Sequence, residues 1–109
     1  MLRKEKNFQI VVYEAHLLGD IRKCLKLLDN SGKYFYIKHN KECSVPHYHI
    51  YYVSNDPISF YDFASMFIVN VANQAEIDIA RMGKYPFITY MLQNGKYRLR
   101  DIKGTMSLA

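Results

Sequence analysis

The sequence predicts an α+β domain, a central antiparallel sheet of about four to five strands with helices packed on it. Three observations predict it. β-Branched and aromatic residues concentrate in short runs at 7–13, 33–39 and 46–53, the composition of strands. Apolar residues return at three- and four-residue steps over 17–28 and again over 58–70, the period of amphipathic helices. Between 75 and 81 apolar and charged residues alternate, as they do on a strand with one buried face.

In order, residues 7–13 read as a central strand, with Gln9 interrupting one face. Leu17, Ile21, Cys24, Leu25 and Leu28 form the apolar stripe of the first helix, which makes Cys24 core filling, and 29–32 supply its stop and a turn. The strand at 33–39 leads through 40–45 into the strand at 46–53. Residues 54–57 then read as a turn, with Pro57 or Ile58 in the first turn of the helix at 58–70. In the strand at 75–81, Ile77 and Ile79 face the core, while Glu76 and Asp78 face outward or toward a site. Lys84 to Gln93 is a short helix, opened by Pro86 and closed before Asn94-Gly95, with Phe87, Ile88, Met91 and Leu92 on its apolar side and Tyr90 at the edge. The folded domain is expected over 1–103, and 104–109 is expected to be a flexible tail.

A chain of 109 residues is expected to form one domain with a modest core. The content of 50% hydrophobic and 23% charged residues argues against disorder. A net charge of +5 favours an anionic partner such as nucleic acid or phosphate. The basic start at Arg3, Lys4 and Lys6 precedes an apolar run that Glu14 ends too soon for a signal peptide, and no stretch approaches a membrane span. Cys24 and Cys43 have no Cys-x-x-Cys spacing, which suits a reducing cytoplasm. No Gly-rich phosphate loop or nucleophile elbow occurs, so nucleotide hydrolysis and serine-hydrolase chemistry have no support.

The chemistry-bearing residues gather around 46–53. His47 and His49 stand two apart on a strand and therefore share a face, with Tyr48, Ile50 and Tyr52 on the other. His39 closes the preceding strand and Glu42 follows three residues later. A hairpin joining 33–39 to 46–53 brings all four groups to one end of one sheet face, a divalent-metal arrangement. His16 reads as a loop or cap residue.

Together these pieces resemble the HUH superfamily of single-strand endonucleases, in which a bulky hydrophobic residue, here Tyr48, separates two histidines. They are most similar to the one-tyrosine rolling-circle plasmid replication initiators of Gram-positive bacteria. Phe8 to Tyr13 resembles the family's first motif. Tyr36 to Glu42 resembles its His-Asp-Lys-Asp segment, with Glu42 where the family usually has aspartate and Asn40 where it often has an acid. Pro46 to Tyr52 matches the metal motif, and Phe87 to Leu92 falls where the family carries its nucleophile, 41 residues beyond His49. The resemblance implies a ferredoxin/RRM-like HUH fold, a metal held by His39, His47, His49 and Glu42, and Tyr90 as the attacking group.

It further implies sequence-specific nicking and closing of single-stranded DNA or a hairpin at a replication origin, through a 5′-phosphotyrosine intermediate and a free 3′-hydroxyl. Mn²⁺ is the expected ion, with Mg²⁺ a weaker fit. A phenol holds its proton at neutral pH and needs a base or positive surroundings to attack; Lys84 and Lys96 are candidates for electrostatic help. Lys38, Lys41, Lys84, Lys96, Arg98 and Arg100, with exposed Tyr51 and Tyr85, are candidate DNA contacts. Host replication proteins are expected partners, the cytoplasm of a bacterial or other host cell is the expected location, no membrane partner is expected, and oligomerisation stays open. A transposase or relaxase of the same superfamily fits the spacing less well, and a non-catalytic nucleic-acid-binding domain with a zinc-filled cluster is the alternative from another class.

Overall fold

The computed structural model describes residues 2–41 and 44–108. The chain runs β1 (Lys4–Tyr13), a 3-10 turn (Glu14–His16), α1 (Ile21–Ser31), β2 (Gly32–His39), β3 (His47–Ser59), α2 (Phe60–Asn70), β4 (Glu76–Ile79), α3 (Lys84–Leu92), a second 3-10 turn (Leu99–Asp101) and β5 (Lys103–Gly104). One antiparallel five-stranded sheet results, in the order β4-β1-β3-β2-β5, with the three helices packed on it. The α+β class and the strands expected from the sequence are therefore observed.

Strand alternation divides the sheet into two apolar faces. Phe8, Ile10, Val12, Tyr48, Ile50 and Tyr52 lie on one, covered by Cys24 and Leu28 of α1 and Phe63 and Phe67 of α2. Phe63 stacks on Phe8 at 4.4 Å and on Tyr52 at 5.1 Å between ring centres, so this layer is held by aromatic contact as well as by area removed from water. Burial pushes the Cys24 thiol up to about 12, in keeping with core filling. Phe35, Ile37 and Tyr51 lie on the other face, against Phe87, Ile88 and Met91 of α3 and Tyr97 and Ile102 beyond it.

Three boundaries differ from expectation. α1 starts at Ile21, not Leu17, because the Asp20 carboxylate accepts from the Arg22 N–H at 2.8 Å and caps the helix there. Leu17 still packs on the core from the preceding turn. β3 continues through Pro57 to Ser59, and α2 starts only at Phe60, where Ser59 Oγ accepts from Asp62 N. Pro57 is tolerated because the β1–β3 register jumps from Asn7↔Val53 to Glu5↔Ile58, a bulge that asks no ladder hydrogen bond of it.

At the other end, the segment expected to be a loose tail pairs with β2: Lys103 and Gly104 form β5, and Thr105 and Met106 donate their N–H groups to Tyr34 O. Gly104 has a φ of 146°, and a Cβ there would strike the Tyr34 backbone, so the pairing depends on glycine. Among the described residues, no helix is long and apolar enough to cross a membrane.

Candidate metal centre

The hairpin register builds the centre. His39, the last residue of β2, pairs directly with His47, the first of β3, and His49 lies two residues along the same face. The rings stand 5.3 Å (His39–His47), 4.3 Å (His39–His49) and 5.1 Å (His47–His49) apart between centres. One nitrogen from each falls within 4.8 Å of the others. Glu42, expected as a further ligand, lies outside the described residues.

The cluster grades from deep to shallow. His39 and His49 are 1% and 5% exposed, and His47 is half-buried at the rim. Two of the rings have their tautomers set by carbonyls, which only accept. His39 Nε2 donates to Met91 O at 2.7 Å, and His47 Nδ1 donates to Val45 O at 3.0 Å. The lone pairs of the two rings are thereby on His39 Nδ1, which accepts from Gln93 Nε2 at 3.2 Å, and on His47 Nε2. Tyr97 braces the site from behind, its ring stacked on His39 at 4.6 Å and its hydroxyl accepting from the N–H groups of Asn40 and Lys41.

Burial, with the nearby His47, holds the His39 imidazole below its ordinary range, against the raising effect of the Met91 carbonyl. Burial is also the main cause at His49, where His39 and His47 add to it and the imidazole is pushed down to about 3. Two neutral, tightly grouped imidazoles at pH 7 are in the form that ligates a metal. His49 Nδ1 is buried and finds no hydrogen-bond partner among the described residues, a situation that costs about 1–3 kcal/mol unless something fills it. Donors about 2.1 Å from one ion stand about 3 to 4 Å from each other, so closing the three histidines on a cation asks only a small inward shift. The three residues fit a divalent metal ion.

Tyr90 projects from the last turn of α3. Its ring meets that of His49 edge-on at 5.4 Å, and the side chain is 53% exposed. Helical spacing explains this: Phe87, Ile88 and Met91 anchor the helix on the sheet and leave Tyr90 on the border between core and solvent. A cleft of about 580 Å³ opens beside it, lined by His49, Tyr90, Gln9, Glu76, Asp78 and Met82 among others. Glu76 and Asp78 reach it because β4 pairs Glu76 with Val11 and Asp78 with Gln9, and Val11 in turn pairs with His49. Asp78 is bonded to Arg81 at 3.1 Å.

The expected nucleic-acid contacts divide. Lys96 lines a groove with Thr89, Tyr90, Gln93 and Asn94, and Arg98 and Arg100 are exposed beyond it. Lys41 lies over Tyr97 and donates to Lys96 O, while Lys84 lies over the exposed Tyr85 and donates to Ser107 O. Lys38 points to the opposite side of the sheet, where it pairs with Glu14 at 3.0 Å, as its place next to His39 on a strand requires. Tyr51 is not an exposed stacking residue: it is 3% exposed, stacked on Phe35 at 5.0 Å, with its hydroxyl accepting from Asn7. It shares the histidine face, but α3 covers that part of the face.

Gln93, Tyr97 and the Met91 carbonyl went unseen as site components in the sequence. Their only signal there is position, within a turn or two of Tyr90. No protein-family model matches the chain, and no curated protein matches it.

Proposed function

We propose that this protein is a metal-dependent endonuclease and strand transferase for single-stranded DNA, of the kind that starts rolling-circle replication. The observation that carries the reading is the half-exposed phenol of Tyr90 beside His49, at the mouth of a cleft reaching a three-histidine cluster. The sequence resemblance to HUH replication initiators supports it, and so does the basic balance of +5.

In this reading His39, His47 and His49 hold a divalent ion, Mn²⁺ by preference and Mg²⁺ as the weaker fit. When bound, the ion supplies Lewis acidity to a phosphate oxygen. The residues do the rest. The rigid β2–β3 hairpin fixes where the scissile phosphate sits, and α3 sets Tyr90 Oη beside it for in-line attack. The bond from Tyr90 Oη to phosphorus forms as the bond from phosphorus to the 3′ oxygen breaks, leaving a 5′-phosphotyrosine and a 3′-hydroxyl. The phenol proton needs an acceptor, and the carboxylate of Glu76 lines the same cleft, with Asp78 committed to Arg81. Because the phosphodiester count is unchanged, a 3′-hydroxyl can reverse the step and rejoin the strand. Lys96, Arg98 and Arg100 provide positive charge along the path of the strand.

The test is a denaturing gel of the protein mixed with a library of single-stranded hairpin oligonucleotides and Mn²⁺. A covalent protein–DNA band that disappears with chelator is expected. No adduct and no cleavage across the library, with the Mn²⁺ site filled, would remove the reading.

A further inference from the structure

The outer side of α2 turns apolar side chains to water. Of its 11 residues only Asp62 is charged. Phe63 and Phe67 bury one face, while Tyr61, Ser65 and Val69, at four-residue steps, form an exposed line about 12 Å long on another. Val69 is 75% exposed and Tyr61 68%, and nothing in the fold covers either. Beside Val69 a groove of about 400 Å³ runs between α1 and the end of α2. Leu18, Leu27, Val69 and Val71 give it an apolar lining, and Lys23 and Lys26 of α1 stand along it. Its floor is fixed in place, because Leu18 N–H donates to Val71 O at 2.8 Å and Asn73 N–H to His16 O at 2.9 Å. Leu17 turns into the core there, and its neighbour Leu18 turns out to the groove. Among the described residues, neither the Lys23 nor the Lys26 ammonium has an ion-pair partner, and no carboxylate lines the groove.

We infer that the groove between α1 and α2 docks an acidic amphipathic helix of a partner protein. Charge and shape together select this occupant. An apolar channel between two helices takes the apolar stripe of a third, read by anchors at three- and four-residue steps. Two unpaired ammonium groups on its edge call for carboxylates flanking that stripe, which steer the approach and set the register. A second copy of this chain fits the charge badly. Paired about a two-fold axis, it would bring Lys23 and Lys26 of two chains of net charge +5 toward each other across a groove that offers them no acid. A lipid surface fits the shape badly, because the apolar residues line a concave channel and Asp62, Ser65 and Asn70 interleave with them on α2.

The groove and the metal centre are on opposite sides of the sheet. α1 and α2 cover the face of Tyr48, Ile50 and Tyr52, whereas His47 and His49 alternate to the other. A partner seated on the helices therefore leaves the cleft beside Tyr90 open, and the inference stands apart from whatever chemistry the histidines perform.

The experiment measures binding of end-blocked, dye-labelled synthetic helices to the full chain by fluorescence anisotropy. One peptide carries a leucine stripe flanked by glutamates, a second has lysines in place of the glutamates, and a third scrambles the first. The glutamate-flanked helix is expected to bind, and the other two to bind at least about tenfold more weakly. Val69→Asp should weaken binding by about tenfold or more, and so should the double variant Lys23→Glu with Lys26→Glu, while both melt like wild type because these side chains are exposed. The double variant should in turn prefer the lysine-flanked helix, an exchange that a general loss of folding could not produce. No binding of the glutamate-flanked helix up to about millimolar concentration, or equal binding of the scrambled peptide, would overturn the inference. Sedimentation of the protein alone and flotation with phosphatidylserine vesicles test the other occupants. A dimer, or vesicle binding, that Val69→Asp abolishes would overturn it in favour of a second copy or a lipid surface.

Discussion

The Nε2 proton of His39 is donated to the carbonyl oxygen of Met91 at 2.7 Å, so the residue next to Tyr90 orients the most deeply buried imidazole of the cluster. Sheet and helix are joined at this point by a bond that sets both the histidine's tautomer and the seat of α3. The three histidines consequently differ in what they support, although their spacing makes them look alike.

Replacing His39 by alanine leaves the Met91 carbonyl without its donor and empties the space under Tyr97. It should lower the unfolding free energy of the metal-free protein by about 1–3 kcal/mol and also abolish Mn²⁺ binding. His47→Ala, at the half-buried rim, should lose Mn²⁺ with little change in stability. Denaturant unfolding of both variants without metal checks the contrast, and equal destabilisation would contradict it.

Acid should act on the protein through His49. An unfolded imidazole takes up its proton near pH 6.5, whereas in the folded protein His49 does so only at about 3. Between these values the unfolded chain binds more protons, so stability is full above about pH 6.5 and falls as the pH drops toward 3. The urea midpoint of the metal-free protein should therefore be lower at pH 4.5 than at pH 7. His49→Leu, which removes the titrating group, should lose less over that interval; an identical loss would show that other groups carry the effect.

Glu76 is expected to serve the reaction without holding the ion. Glu76→Gln should slow single-turnover nicking by about 10²- to 10⁴-fold at saturating Mn²⁺ while leaving Mn²⁺ affinity unchanged. Asp78→Asn should do less, because that carboxylate is already bonded to Arg81. An undiminished rate in Glu76→Gln would send the search for the base elsewhere.

Much of this site could be read from the sequence because it depends on local periods. The two-residue period of β3 put His47 and His49 on one face, the hairpin put His39 opposite His47, and the spacing along α3 left Tyr90 at the border of its apolar side. What could not be read depends on tertiary contact. Tyr51 has the sequence context of an exposed aromatic, and only the packing of Phe87 over the sheet buries it. Pro57 looks like a helix start because a bulge opposite Lys6 leaves no trace in β3 itself. β5 is two residues long, too short for any period, and its place is fixed by the room that Gly104 leaves at Tyr34. The left-handed turn at Gln93 is hidden because glutamine is an unusual residue to find there.

The most direct measurement is the position of the covalent bond. After reaction with a hairpin oligonucleotide in Mn²⁺, nuclease trimming and tryptic digestion, fragmentation of the peptide from Tyr85 to Lys96 locates the added nucleotide. The nucleotide is predicted on Tyr90, with no adduct from Tyr90→Phe protein that still binds Mn²⁺. A nucleotide on Tyr85 or any other residue, or an undiminished adduct from Tyr90→Phe, would contradict the account.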